Sequence, residues 1–274
     1  MLQRLIPNTG ESIPVIGIGT WKQFDVNHDS PERKDLKKVL TLLHQYKATL
    51  IDSSPMYGRS EEVIGKLTQE IGLADKFFYA TKVWTTGKEA GIKQMKESMQ
   101  KMKRSVMDLM QIHNLVDWQT HLKTLRQWKT EGIIRYMGIT HYTTSSHADL
   151  EKIIQKEPLD FVQLNYSIAT RNAERKLLPL ATDKGVAVII NEPLEKGQLF
   201  EKIRNRSLPS WTAEYAIQSW AEFFLKYIIS HPAVTCVIPA TSNPAHMKDN
   251  LKAGEGTVPD ERAREKMAKY FDGL

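Results

Sequence analysis

The sequence predicts an α/β protein folded as a (β/α)8 TIM barrel, with an N-terminal β-hairpin and extra C-terminal helices. Three observations predict it. Eight short β-branched runs alternate with longer amphipathic segments. Such alternation builds a parallel sheet covered by helices, and eight units favour closure over an open sheet. Most of the strand-like runs end, at the C-terminal edge, in a polar residue. The chain has 274 residues, of which 41% are hydrophobic. That suffices for one large core, so residues 1–274 read as a single domain.

Each element can be justified in turn. Leu2 to Ile13 carries Asn8-Thr9-Gly10 between two strand-like pieces, which reads as a hairpin ahead of the barrel. The eight expected strands are Val15–Ile18, Leu50–Asp52, Phe77–Lys82, Leu109–His113, Tyr136–Thr140, Phe161–Asn165, Ala187–Asn191 and Val234–Pro239. Between them the expected helices are Glu32–Tyr46, Ser60–Ile71, Glu89–Lys103, Thr120–Thr130, Ser145–Gln155, Glu174–Lys184 and Thr212–Ile229. Leu36, Val39, Leu40 and Leu43 show the helical spacing. Ser30-Pro31-Glu32 and Ser60-Glu61-Glu62 carry N-terminal helix signals. Gly197 to Trp211 reads as a loop, because it mixes Gly, Pro, Asn and charges. Two final helices, Pro244–Leu251 and Pro259–Tyr270, close the chain.

Composition narrows the partners. The net charge of +6 could favour anionic ligands, but basic residues are spread along the chain. The densest basic stretch, Lys93 to Arg104, interleaves lysines with Met95, Met99 and Met102. That is the pattern of a solvated helix face rather than a nucleic-acid footprint. The single cysteine, Cys236, excludes an intrachain disulfide and sits in the apolar run Val234 to Ile238, where a small buried residue fits. No apolar stretch approaches the roughly 20 residues that span a bilayer, and Met1 to Gly10 has no apolar signal core. The expectation is a cytoplasmic monomer, periplasmic if an export signal has been removed, with no nucleic-acid or membrane partner and no metal.

The polar strand ends carry the chemistry. Asp52, Lys82, His113, the Thr140–His141 pair, Gln163 and Asn165, Asn191 and Glu192, and Thr241 all lie at or just beyond strand ends. In a barrel these ends converge on one face. The loop Ser53-Ser54-Pro55-Met56-Tyr57-Gly58 could fold Tyr57 back over that mouth. A free tyrosine, with a pKa of about 10, is a poor acid at neutral pH. A nearby Lys82 ammonium, kept charged by Asp52, is expected to lower it. His113 could hold a substrate oxygen or relay a proton. The set reads as a proton donor for an oxygen that gains charge during a reaction. Gly17-Ile18-Gly19 is no Rossmann fingerprint, since it lacks the third glycine and the following helix.

Gly17-Ile18-Gly19-Thr20-Trp21, Asp52 through Tyr57-Gly58, Ala80-Thr81-Lys82, Asp108 through His113, Gly138-Ile139-Thr140 and Val237-Ile238-Pro239 together resemble the aldo-keto reductase family, of bacterial type. The resemblance runs in order over almost the whole chain. It implies the same barrel, and reduction of aldehydes and ketones by NADPH without metal, with NADH as an alternative cofactor. It implies that Tyr57 is the general acid, Lys82 its partner paired with Asp52, and His113 the residue that orients the carbonyl. It places the cofactor along Gly19, Thr20, Trp21, Asp52, Thr140, His141, Gln163, Asn191, Pro193, Leu194, Pro239, Ala240, Thr241, His246 and Asn250. Trp21, Phe24, Trp84 and Asn114 are the expected walls of the substrate pocket. The tail Phe271 to Leu274 is short, which implies an open pocket.

The departures from the family pattern fall in the cofactor half. His141 stands where Asn is usual, Asn191-Glu192-Pro193-Leu194 replaces Tyr-Ser-Pro-Leu, and Ala240 and His246 replace the usual Lys and Arg around the 2′-phosphate. Two rival readings are a cofactor-binding regulatory barrel without significant turnover and a metal-dependent hydrolase using Asp52, His113 and His141. The complete set of four argues against the first, and a lysine at the centre is a poor neighbour for the cation of the second.

Overall fold

The computed structural model describes residues 1–274. Its first two strands, β1 (Gln3–Leu5) and β2 (Ser12–Pro14), pair antiparallel with Arg4 opposite Ile13. This is the expected hairpin, turning through Gly10 at φ 72°.

Eight parallel strands follow: β3 (Ile18–Gly19), β4 (Leu50–Asp52), β5 (Phe78–Val83), β6 (Met107–His113), β7 (Ile134–Thr140), β8 (Phe161–Asn165), β9 (Ala187–Asn191) and β10 (Cys236–Val237). They pair in sequence order. The sheet closes on itself through bridges Ile16 to Val237 and Gly19 to Ala240. The first and last strands are shorter than expected, but backbone hydrogen bonds from Gly17 N to Val237 O and from Val237 N to Val15 O extend the seam.

The connecting helices are α1 (Arg33–Gln45), α2 (Ser60–Glu70), α3 (Lys88–Lys101), α4 (Trp118–Thr130), α5 (His147–Lys156), α6 (Leu177–Asp183), α7 (Gln198–Lys202) and α8 (Trp220–Ile229), followed by α9 (Pro244–Lys252) and α10 (Glu261–Asp272). On α1, Leu36, Val39, Leu40 and Leu43 are fully buried, as their spacing predicted. Each such side chain contributes about 1.5–3 kcal/mol relative to exposure.

Three helix expectations are corrected. The chain from Thr212 to Ile229 is not one helix. A 3-10 segment, Ser210–Tyr215, ends at Ala216 with φ 52°, and α8 begins only after Ser219, whose side chain accepts the Glu222 N–H. The Ser219-x-x-Glu222 pattern is a helix-start signal inside the expected helix. Glu174 to Lys184 is likewise split, into a 3-10 turn at Asn172–Arg175 and α6. Pro179 explains this, because a helix extended upstream would need its missing N–H. The expected loop Gly197 to Trp211 contains α7.

Two cores result. Side chains alternate along each buried strand, so one set fills the barrel and the other packs against the helices. The barrel interior holds Phe78, Tyr136 and Phe161 in mutual aromatic contact, with Ala80, Leu109, Ala187, Ile189 and Cys236 among their companions. Ile6 and Ile13 of the hairpin join this interior set. The outer core of 59 buried residues lies between strands and helices. Cys236 is buried, as expected. No helix is long and apolar enough to cross a membrane.

Gly138 on β7 occupies an interior position where close packing leaves no space. A Cβ there would lie 2.7 Å from the Phe161 carbonyl oxygen. Gly138→Ala should therefore destabilise the fold by about 1–3 kcal/mol through overpacking. Urea unfolding measures this, and an unchanged midpoint would show that β8 yields freely.

Candidate active site

The same alternation that fills the barrel carries polar side chains inward at the C-terminal strand ends. Asp52 is level with Ala80, Lys82 with Gln111, His113 with Thr140, and Thr140 with Gln163. Lys82 is fully buried, and its Nζ donates to Asp52 Oδ2 and to the Ser53 carbonyl, both at 2.6 Å. The second carboxylate oxygen of Asp52 accepts from Gln111 Nε2 at 3.0 Å and from Gln163 Nε2 at 2.9 Å. Gln163 Nε2 also lies 3.2 Å from Gln111 Oε1. Gln163 Oε1 accepts from Thr140 Oγ1 and Asn191 Nδ2, each at 3.3 Å. One hydrogen-bonded chain thus joins six strand ends, from β4 to β9.

Tyr57 is held over this chain by its loop. Ser60, the first residue of α2, donates its hydroxyl to the Tyr57 carbonyl at 2.7 Å, and Arg59 N donates to Asp25. Ser60 therefore anchors the loop rather than capping the helix. The Tyr57 ring meets the His113 ring edge-on, with centroids 5.8 Å apart, and Lys82 Nζ lies 5.2 Å from the Tyr57 ring centre. Ser54 Oγ lies 2.9 Å from His113 Nδ1.

Electrostatics differ from the sequence expectation at Tyr57. Burial holds the phenol well above its ordinary value, and the carboxylates of Asp52 and Glu192 add to the effect. The expected lowering by Lys82 does not prevail, because burial and the opposing carboxylates of Asp52 and Glu192 outweigh it. Burial also pushes Lys82 down, against the opposing pull of Asp52. His113 is pushed down to about 2 by burial, then by Lys82 and His141. Tyr57 is thus a protonated phenol and His113 a neutral imidazole at neutral pH.

The remaining site residues divide. Trp21 and Trp84 are about two-fifths exposed, at 40% and 42%. Phe24 is fully buried in the outer core, so it is no pocket wall. Its N–H bonds back to the Thr20 carbonyl, and this turn directs the ring inward. Thr20 is also fully buried, with its hydroxyl donating to Asp52 O at 3.0 Å and lying 3.0 Å from Ser53 Oγ. It braces the end of β4 and presents no surface to a ligand. Asp52 is nearly fully buried with both oxygens occupied, so it positions other side chains rather than reaching a cofactor. Gly19 lies at the barrel seam, where a Cβ would come 3.0 Å from Ile238 O.

Pro193 and Leu194 lie in a loop where Glu192, Glu195 and Lys196 all have positive φ. Glu192 pairs with Lys196 at 3.0 Å, and Glu195 accepts the hydroxyls of Ser167 and Thr170. Pro239 continues β10 at the seam, where the Gly19 N–H reaches its carbonyl. Ala240 and His246 are exposed, whereas Thr241 and Asn250 are buried. Asn114 takes φ 52°, and its Oδ1 is buried without a partner.

Sequence reasoning missed Gln111, Ser54, Tyr142 and Lys196. Gln111 was legible in principle, since a glutamine in the apolar run Leu109 to Ile112 must find partners when buried. Tyr142 is exposed and stacks on His141 with centroids 5.5 Å apart. Lys196 Nζ lies 5.6 Å from Trp21 and 5.7 Å from Tyr142, so it spans the mouth. No sequence signal links those three loops. Asp52, His113 and His141 do not assemble as metal ligands, and the chain holds no group of three or more His, Cys, Asp or Glu suited to a metal ion.

The donor set suits a nicotinamide carboxamide. Asn191 Oδ1 is buried with no partner, beside Gln163, Thr140 and the His141 carbonyl. An amide N–H could satisfy it. His141 Nδ1 accepts the Thr143 N–H at 3.2 Å, which leaves its other ring nitrogen to donate.

A closed parallel barrel with a buried Lys–Asp pair, a tyrosine and a neutral histidine at its C-terminal mouth defines a class of barrel oxidoreductase. The profile of the Aldo/keto reductase family matches residues 15–269, and the chain belongs to that family. It is 26% identical over 258 residues to the methylglyoxal reductase YeaE of Escherichia coli, covering 91% of this chain and 89% of that protein. It is also 26% identical over 247 residues to an NADH-specific methylglyoxal reductase of the same organism, covering 78% and 73%. In fold it matches an aldo/keto reductase from Klebsiella pneumoniae solved with NADP and acetate, at TM-score 0.83 and 21% identity over 99% of this chain and 96% of that one.

Two outcomes are expected. Gln111→Leu removes one donor from a buried carboxylate and should cost about 1–3 kcal/mol, read by urea unfolding. Between the ordinary histidine value of about 6.5 and the folded value of about 2, the unfolded chain binds the proton that His113 refuses. Stability should therefore fall as the pH drops below about 6.5. Thermal melts should show that slope reduced in His113→Gln, and an identical slope would assign it to other groups.

Proposed function

We propose that this barrel reduces aldehydes and ketones to alcohols with NADPH, Tyr57 acting as the general acid and the substrate oxygen lying between Tyr57 and His113. Membership of the family makes the chain an NAD(P)H-dependent oxidoreductase. The observation that carries the residue roles is the placement of Tyr57 against both His113 and Lys82 at the barrel mouth.

The chain's own residues divide the work. The nicotinamide, when bound, supplies the hydride. Thr140, His141, Gln163 and Asn191 would hold its carboxamide, and Thr241, His246 and Asn250 its adenosine end. Tyr57, protonated at neutral pH, has the proton that a reduced carbonyl oxygen requires. Burial makes it a reluctant acid in the resting site, and transfer becomes favourable once a developing alkoxide, a stronger base than phenolate, lies beside it. Lys82 puts a fixed positive charge near the phenolate that remains. Asp52 keeps that charge in place, and its own two amide donors prevent it from turning away. His113, uncharged, orients the carbonyl oxygen and cannot compete as an acid.

Small carbonyls are the substrates to test first. The relatives named above are methylglyoxal reductases, and this reading extends a small 2-oxoaldehyde to this chain. The aromatic rim of Trp21, Trp84 and Tyr142 also suits a flat aromatic aldehyde. The same reading takes residues 1–274 as one domain, active as a cytoplasmic monomer.

NADPH loss with methylglyoxal and with a simple aromatic aldehyde tests the activity, and absence of turnover with both would favour a regulatory barrel. Tyr57→Phe should lower kcat by about 10²–10⁴-fold while cofactor affinity, read by protein fluorescence, stays within a few-fold. Retained turnover would remove Tyr57 as the acid. His246→Arg should raise the NADPH-to-NADH affinity ratio, because a guanidinium can pair with the 2′-phosphate. An unchanged ratio would place that phosphate elsewhere.

A further inference from the structure

Ser54 stands between the tyrosine loop and β6, and it is fully buried. Its Oγ accepts the Met56 N–H at 3.3 Å and lies 2.9 Å from His113 Nδ1. Satisfying the hydroxyl proton decides the direction of the second bond. An amide N–H only donates, so Met56 cannot take that proton. A buried hydroxyl left without an acceptor is destabilising. His113 Nδ1 is the acceptor within reach.

The imidazole is held neutral, so it carries one N–H and one lone-pair nitrogen. If Nδ1 receives the serine proton, the ring's own proton sits on Nε2. That nitrogen makes no bond within the protein and is not sealed from solvent.

We propose that Ser54 is a positioning residue that locks His113 in the Nε2–H tautomer, so that His113 donates to the oxygen of the carbonyl substrate. The opposite tautomer would present a lone pair to that oxygen and repel it. It would also give Tyr57 an acceptor that competes with the substrate for the phenolic hydrogen bond. With Ser54 in place, Tyr57 and His113 are two donors aimed at one oxygen, the arrangement that stabilises charge developing there. The substrate half of this inference rests on the carbonyl-reductase reading, whereas the tautomer half does not.

Long-range proton–nitrogen NMR correlations on histidine-labelled protein without cofactor read the tautomer directly, and His113→Gln assigns the signal by deleting it. The wild type should show Nε2–H. Ser54→Ala should lose that preference and lower kcat about tenfold, short of the ~10²–10³ lost when an oxyanion donor is deleted outright, with NADPH affinity unchanged. A wild-type Nδ1–H signal, or a Ser54→Ala protein with the wild-type tautomer and wild-type kcat, would overturn the role of Ser54. Carbonyl turnover together with Nδ1–H would overturn this inference and leave the reductase reading standing. An Nε2–H signal in a wild type that turns over no carbonyl would overturn the substrate half along with that reading.

Discussion

Lys82 and Asp52 place a full positive and a full negative charge inside a barrel that excludes water from both. Removing each charge from water costs several kcal/mol, and mutual attraction repays this only when the remaining protons and lone pairs are also bonded. That requirement organises the whole upper barrel. The second carboxylate oxygen needs donors, and β6 and β8 supply Gln111 and Gln163. The ammonium needs another acceptor, and the Ser53 carbonyl supplies it. Gln163 then turns its own oxygen toward Thr140 and Asn191. Each partner is fixed because its neighbour is fixed.

The ion pair also sets the character of the two groups at the mouth. Lys82 places two of its three protons on Asp52 and Ser53 and makes no hydrogen bond to Tyr57, on which it acts as a nearby charge. The same ammonium, after burial, disfavours a charged His113. A neutral imidazole beside a protonated phenol is a pair of hydrogen-bond donors of different acidity. That is what a carbonyl oxygen needs before and after it takes up negative charge.

Below this layer the barrel is sealed by aromatic packing and the hairpin. Phe78, Tyr136 and Phe161 fill the interior beneath the polar ring, with Ile6 and Ile13 among their companions. The polar chemistry lies at the opposite end. There the loops after β4, β7 and β9 bring Met56, Tyr142 and Lys196 to the surface, and the residues of positive φ at Glu192, Glu195 and Lys196 shape the last of these.

The sequence by itself determined the barrel, the hairpin and the identity of Asp52, Tyr57, Lys82 and His113. Those follow from local signals: eight β-branched runs alternating with amphipathic segments, strand-terminal polar residues, and turn chemistry at Asn8-Thr9-Gly10 and Ser53 to Gly58. It did not determine the break before Ser219, where a helix-start pattern overrode a continuous apolar spacing. Nor did it reveal that Phe24 and Thr20 turn inward, where the Phe24 N–H meets the Thr20 carbonyl and Thr20 bonds to Asp52 at the end of β4. The tertiary structure alone decided the direction of the Tyr57 shift, the bridging role of Gln111, and the contact of Ser54 with His113. Each of these joins strand ends or loops far apart in the chain, and the net field at a buried group depends on which charges the fold sets around it and how far it excludes water.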